Sequence, residues 1–300
     1  MNNLDNLTLV ILTYKTGKEI LDNCLSSIDK NIKIIVVENS TYFENQKYFE
    51  DKYKNIKIIL TEKNLGYAGG NNFGLNMVKT KYALIFNPDI ICEKNFFSSI
   101  QKYLDGKLDF SIIGTSFAEQ SDYHTAGFFD NKKNLKEANF LNEFNLYDVD
   151  WVSGCSLLLN LNNFDDEKIF DENFFLFFEE NDLCFRVKSK GGKIFMSTDL
   201  KITHLGFKSS LASLEKYKFE FSKLRNWHYM WSFFYYHKKN YGYIYSLIKS
   251  SSRLFRSIIR IAFYFITSNK KQRTIYTYRF LGLINSIFLK KSYYRVDIED

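Results

Sequence analysis

Three carboxylates, Glu179, Glu180 and Asp182, stand within four residues inside the run FFLFFEENDLCFR, Phe174 to Arg186. Ionised acids among phenylalanines are expensive to desolvate, so a chain that clusters them there gives them a cation, a proton or a reaction to serve. A histidine, His204, follows about one helix and one strand later. An acid cluster beside a histidine suits a divalent cation next to a general base. A further acid, Asp89, follows the apolar run YALIF in the tetrapeptide Asn87-Pro88-Asp89-Ile90. The proline fixes the turn and aims Asp89 outward from a strand end, where a hard oxygen can hold a metal; a turn-forming Asp beside proline is the plainer explanation of that residue by itself. His204 standing alone reads as a satisfied strand-end histidine, and in the company of the acids it reads as a ligand. Arg186 lies four residues after Asp182, one helical turn, and the expected product is a salt bridge.

The elements that must position these groups begin with a β-rich run, Leu7 to Thr13, and a helical pattern through Ile20, Leu21, Cys24, Leu25 and Ile28. The alternation continues with a strand at Ile32 to Val37, a helix around Tyr42 to Tyr53, a strand at Ile56 to Leu60, a helix near Asn71 to Val78 and a strand at Tyr82 to Phe86. Near-continuous apolar strands between amphipathic helices predict an α/β fold with a mostly parallel sheet covered on both faces. Ligands of such sheets bind beyond the carboxyl ends of the strands, which singles out Thr13, Tyr14, Glu38, Asn39, Ser40, the segment Asn64 to Asn72, and Asn87 to Asp89. From Asp109 the pattern loosens through WVSGCSLLLN, Trp151 to Asn160. A helix then carries the acids to Gly191 and Gly192, and a strand, Lys193 to Met196, leads toward His204.

The glycine-rich run NLGYAGGNNFGL, Asn64 to Leu75, follows a strand and opens a helix, a place where small residues let a phosphate or nucleotide reach backbone N–H groups. It matches neither the dinucleotide pattern nor a Walker loop. A turn with a close helix–sheet contact is the structural alternative.

In their order and spacing, VILTY, VVENS, NLGYAGGNNFGL, FNPDI, WVSGCSLLL, FDENFFLFFEENDLCFR and ITHLG resemble the inverting family-2 glycosyltransferases of GT-A fold, particularly the branch with rhamnosyltransferases and galactofuranosyltransferases. The resemblance covers about Leu7 to Gly206. It implies that Thr13, Tyr14 and Glu38 contact the nucleoside, and that Asn64, Gly66, Ala68, Gly69 and Asn72 line the nucleotide-sugar with Asn87. It places Asp89 at the last acid of the metal-binding DxD element, His204 as a further ligand of Mg2+ or Mn2+, and Glu180 as catalytic base. Asp182 then orients the acceptor or the base, and Gly154 allows close approach of the donor sugar. Two positions depart from the family pattern: Glu38 stands where Asp is usual, and Glu179-Glu180 where Glu-Asp is usual.

Three hundred residues, 45% apolar and 18% aromatic with a single proline, exclude a disordered or low-complexity chain. The four scattered cysteines read as free thiols of a reducing compartment, and the N-terminus lacks a signal-peptide pattern; a cytoplasmic location is expected. The net charge of +7 hides an asymmetry: residues 201–300 hold 19 Lys/Arg against 5 Asp/Glu, and the first 200 hold 22 against 29. We therefore divide the chain into a catalytic domain, 1–206, and a basic aromatic helical region, 207–300. There Lys249, Arg253, Arg256 and Arg260 fall along one side of a helix and Leu247, Leu254, Phe255, Ile258, Ala262 and Phe265 along another. Such a helix is too short and too charged to span a bilayer but suits an anionic membrane surface; packing on the catalytic domain is the alternative. No nucleic-acid recognition motif is present, and His228 and His237 read as surface or interfacial residues of the tail.

The expected protein is thus a metal-dependent glycosyltransferase using a nucleoside diphosphate sugar, with rhamnose the first candidate. Its acceptor is a lipid-linked bacterial surface glycan, and it works on the inner face of the cytoplasmic membrane. A sugar nucleotidyltransferase would need a glycine- and cation-rich loop after the first strand, which Thr13-Tyr14-Lys15-Thr16-Gly17 does not supply. A non-catalytic membrane adaptor is the third reading.

Overall fold

The computed structural model describes residues 3–106, 108–118, 125–130, 132–165, 168–205 and 215–296. The chain begins with β1 (Leu7–Thr13), α1 (Lys18–Ser26), β2 (Lys33–Glu38), α2 (Gln46–Lys52), β3 (Ile56–Leu60), α3 (Gly66–Leu75) and β4 (Tyr82–Phe86). Short β5 (Ile90–Cys92), α4 (Phe96–Asp105) and β6 (Ile112–Phe117) come next. After the small strands β7 (Ala126–Gly127), β8 (Phe140–Leu141), β9 (Leu146–Asp148) and β10 (Trp151–Val152) come β11 (Ser156–Asn160), α5 (Glu179–Ser189) and the long β12 (Ile194–His204). Three helices end the chain: α6 (Glu215–Tyr241), α7 (Tyr243–Ile266) and α8 (Lys270–Ile287).

The main sheet runs β3-β2-β1-β4-β11-β6-β12-β9-β8, with β5 added on β12. Its first four strands are parallel, as the alternating sequence requires, and β6 and β12 are parallel again; β11 enters antiparallel between the two sets. Leu9, Ile11, Leu84 and Phe86 face one apolar layer with α1 and α4, while Val10, Ala83 and Ile85 face the other with α3 and α5. The period of two places successive side chains on opposite faces, and both faces are covered, which is why these strands carry almost no polar residues.

Helix α3 starts at Gly66, five residues before the expected Asn71, because the glycine run is itself helical. Low helix propensity misleads there; the contact with the sheet decides. A Cβ on Gly70 would lie 2.4 Å from Leu12 Cδ1, and one on Gly74 would lie 2.6 Å from Val10 Cγ1, so small residues bring the helix backbone directly onto β1.

The expected boundary at 206/207 falls within residues 206–214, outside the described ones. The helical region beyond it is no loose appendage. Helix α6 lies over the aromatic loop before α5, where Ser232 donates to the Leu176 carbonyl at 2.9 Å and Phe178 rests among Tyr229, Phe233 and Tyr236. Helix α8 crosses α6 where Gly282 meets Trp227: a Cβ there would sit 2.1 Å from the Trp227 carbonyl oxygen. His228 and His237 are both buried in interfaces of α6, not on the surface. His228 Nε2 is 2.8 Å from the Tyr294 carbonyl, and burial depresses its pKa to about 3.

The expected apolar side of α7 splits in two. Leu247 and Leu254 pack inward against Met230, Phe234 and Leu283, whereas Phe255, Ile258 and Phe265 are exposed.

Gly282→Ala should lower stability by about 1–3 kcal/mol, since the added methyl must push two helix backbones apart. Chemical denaturation of wild type and variant measures this; an unchanged midpoint would show that the close crossing of α8 on α6 is not required.

Candidate active site

The two residues expected to bind metal, Asp89 and His204, are brought together by strand pairing. β5 lies antiparallel to the end of β12 with Ile90 opposite His204, and Leu205 N–H donates to the Asp89 carbonyl at 2.9 Å. This ladder brings His204 Nε2 to 3.5 Å from Asp89 Oδ1, although the two residues are remote in sequence. Asp89 is 1% exposed and His204 stands at the opening. One carboxylate and one imidazole fit a cation that takes its remaining ligands from phosphate oxygens and water, as Mg2+ and Mn2+ do. Among the described residues no group of three or more His, Cys, Asp or Glu side chains that could hold a metal ion occurs.

The pair opens into a cleft of about 310 Å3 at the carboxyl rim of the parallel strands. Thr13 and Tyr14 leave β1 on one side, Asn87 and Asp89 leave β4 on the other, and Asn64, Gly66 and Tyr67 close the end toward α3. Phe221, Leu224 and Arg225 of α6 form part of its wall beside Phe175. Arg225 is the one Lys or Arg among these lining residues, and it comes from the region set apart by composition.

Several of the expected donor residues lie behind the cleft and shape it. Glu38 is fully buried: Thr13 Oγ1 donates to its carboxylate at 2.7 Å, Ser40 Oγ at 2.6 Å and the Lys15 N–H at 2.9 Å. This network ties the ends of β1 and β2 together. Asn39, singled out by its place after β2, lines the cleft and cross-braces the glycine run, accepting from Leu65 N–H at 2.8 Å and donating to Asn64 Oδ1 and the Gly66 carbonyl. Gly66 has φ of 77° and its backbone abuts Phe175, so a Cβ would lie 2.4 Å from the Phe175 carbonyl oxygen. Ala68 faces the core, Gly69 packs on Leu65, and Asn72 pins the next loop by exchanging hydrogen bonds with the Phe170 backbone at 2.8 and 2.9 Å. None of these three lines the cleft.

The carboxylates sit at the start of α5, delivered by a strained approach. Phe177 and Phe178 both have positive φ, 70° and 68°, a conformation that side chains other than glycine rarely adopt. Such strain persists only where surrounding packing over-determines it, here the aromatic ridge of α6. Glu179 is buried and Glu180 half-buried, and Oε2 of each lacks a hydrogen-bond partner among the described residues. Burial raises both carboxyls above their ordinary range; for Glu179 the neighbouring Glu180 adds to it, while backbone N–H groups at the helix start offset part of the rise in Glu180. Burial, then Glu179 and Glu180, also push the Tyr67 hydroxyl up, and Tyr67 donates to the Gly154 carbonyl. A Cβ on Gly154 would lie 3.3 Å from Glu180 Cβ, so this glycine makes room for the acid. Cys155 lies within the influence of both sides of the site: burial, then Asp89 and Glu180, raise its thiol to about 11.

Asp182 points elsewhere. It is completely buried and held by Arg186 Nε at 3.0 Å, Lys239 Nζ at 2.8 Å and Asn240 Nδ2 at 3.3 Å. The expected pairing with Arg186 is present, and Asp182 is absent from the cleft lining; Glu180 and Gly154 do not line the cleft either, but adjoin it through Tyr67. Two positions along a helix turn a side chain away from its neighbour's direction, and the cations beside Asp182 claim it. Tyr67 lay in the singled-out segment Asn64 to Asn72 without a role of its own, although it is the one large side chain at the start of its glycine run; Arg225 was missed, and nothing local marks it.

Because Glu179 titrates above its unfolded value, the unfolded chain releases its proton first as pH rises. Stability is therefore full below the ordinary carboxylate range and declines as pH climbs through the raised native value. Glu179→Gln should flatten that decline and raise the unfolding temperature at pH 8 in chelator; melting curves across pH check it, and parallel curves for the two proteins would oppose it.

Residues 8–154 match the family model described as glycosyl transferase family 2. The low-salt glycan biosynthesis hexosyltransferase Agl10 of Haloferax volcanii is 26% identical over 195 residues, 62% of this chain and 62% of that protein. The dTDP-rhamnosyl transferase RfbF of Shigella flexneri is 24% identical over 211 residues, covering 68% and 71%. Thus the match spans less than two thirds of the archaeal relative. Among solved structures, the mannosyltransferase PcManGT of Pyrobaculum calidifontis, in complex with GDP-Man and Mn2+, superposes with a TM-score of 0.53 at 10% identity, covering 95% of this chain and 88% of the other. Residues 8–154 thus carry a glycosyl transferase family 2 domain, and the chain has a GT-A fold.

Proposed function

We propose that the chain is an inverting, divalent-cation-dependent glycosyltransferase. It moves a sugar from a nucleoside diphosphate donor to a hydroxyl of a lipid-linked bacterial surface glycan at the inner face of the cytoplasmic membrane. Rhamnose is the first candidate sugar, supported by the name of the Shigella relative. The observation that carries the reading is the approach of Asp89 and His204 at the mouth of a strand-end cleft whose Tyr67 wall adjoins Glu180.

In this reading Thr13, Tyr14, Asn64, Gly66 and Asn87 cradle the donor, and the sugar points toward Gly154 and Glu180. Asp89 and His204 would hold Mg2+ or Mn2+, which supplies charge neutralisation for the departing diphosphate. Glu180 removes the acceptor's hydroxyl proton as the oxygen attacks the anomeric carbon opposite the diphosphate; the bond to the diphosphate breaks and configuration inverts. A half-buried carboxylate with a raised proton affinity suits that task better than an ordinary surface acid. Arg225 offers the diphosphate a second positive charge from α6. Glu38, Ala68, Gly69, Asn72 and Asp182 act as positioning residues that hold the cleft's walls.

Glu180→Gln should abolish sugar transfer while nucleoside diphosphate binding, followed by calorimetry with Mn2+, stays within about twofold of wild type. Full transfer in this variant would remove Glu180 from the role of base. Arg225→Leu should weaken nucleoside diphosphate binding about tenfold, on the scale of a charge-assisted contact. Equal binding by the two proteins would mean that α6 only walls the cleft.

A further inference from the structure

We propose that α7, with the end of α8, is a docking surface for an anionic lipid membrane, the helix lying in the plane of the surface. A surface helix of a globular protein buries its apolar face and turns its polar face to water. Helix α7 does the reverse. Ser246, Ser250 and Ser257 are the residues it buries fully, and Ser246 donates to the Phe234 carbonyl of α6 at 2.8 Å. Ile244, Ile248, Phe255, Ile259, Phe263 and Ile266 recur at helical spacing on the outward side, between 49% and 81% exposed. This stripe runs nearly the whole helix, about 33 Å at 1.5 Å per residue.

The end of α8 extends the stripe. Tyr243 Oη donates to the Ile287 carbonyl at 3.1 Å, which sets Phe288 and Leu289, 68% and 62% exposed, beside the start of α7. Exposed Lys290 and Lys291 come immediately after.

Charge selects the occupant. Exposed Lys249, Arg256 and Arg260 run along one border of the stripe, and residues 241–296 contain 11 Lys/Arg and no Asp/Glu. A second copy of the chain would bring like charges face to face, whereas anionic headgroups neutralise them while the isoleucines and phenylalanines enter the acyl boundary. No described helix is long and apolar enough to cross a membrane, so the contact is with one leaflet. The proposal deepens the lipid-linked acceptor reading without needing it, because vesicle binding is measured without turnover.

Sedimentation of the full chain with vesicles of phosphatidylcholine alone, or with roughly 30% phosphatidylglycerol, tests it. Binding to the anionic vesicles should be at least about tenfold stronger, and a part of it should survive about 0.5 M NaCl, where screening removes the purely electrostatic share. Phe255→Glu with Ile259→Glu, both at exposed positions, should abolish binding with melting temperature and nucleoside diphosphate affinity unchanged. Lys249→Gln with Arg256→Gln and Arg260→Gln should remove the preference for anionic lipid. The proposal is overturned if wild type stays in the supernatant with both vesicles, or if the double Glu variant binds as well as wild type. It also fails if light scattering shows a dimer that this variant dissolves, since a second copy would then cover the stripe.

Discussion

The site depends on one packing constraint: the aromatic ridge of α6 holding residues 174–178 against the sheet. Phe177 and Phe178 stay in left-handed conformations that cost about 1–3 kcal/mol each. Phe178 recovers a comparable amount from Tyr229, Phe233, Tyr236 and His237, at about 0.5–1.5 kcal/mol per aromatic pair. The ion network of Asp171, Asp182, Arg186 and Lys239 closes the same interface on its far side. Two acids with raised proton affinity are thereby fixed at the first turn of α5. A loop free to relax would let Glu179 and Glu180 reach water and ordinary acidity.

The other half of the site comes from the sheet. Parallel strands β1, β2 and β4 end on one rim, and the short antiparallel β5 turns the chain back so that Asp89 meets His204. Burying Asp89 among strand ends costs solvation, and the His204 imidazole is a polar neighbour there. The buried Glu38 network serves the same rim by locking the exits of β1 and β2, which fixes where Thr13 and Tyr14 present themselves.

The three terminal helices divide these duties between inside and outside. Helix α6 contributes cleft wall, clamp and the Arg225 cation, so its basic and aromatic character is largely consumed by the catalytic half. Helices α7 and α8 are held on α6 through serines, leucines and the Gly282 crossing, which frees the larger apolar residues of α7 to point away. A single compositional signal along residues 207–300 therefore covers two different physical roles.

The strands Leu7–Thr13, Ile56–Leu60 and Tyr82–Phe86 were legible at their observed bounds, because buried parallel strands must be apolar throughout and each is punctuated by polar rim residues. Asp89, in the turn between β4 and β5, and His204, at the end of β12, were singled out from the family-like order of motifs, and the structure brings the two side chains together. The glycine run's helix was not legible in full, since its stability lies in backbone contact with β1 and propensity alone argues against it. Asp182 and Glu180 stand two residues apart among like neighbours. Only the position of Lys239 and Asn240, 57 and 58 residues further on, decided that Asp182 joins an ion network while Glu180 lies beside Gly154, behind the Tyr67 wall of the cleft. Likewise the basic, aromatic stretch announced an amphipathic helix, but which of its faces meets protein depended on where the serines dock. Sequence periodicity defines faces relative to one another; tertiary contacts alone decide which face is inward.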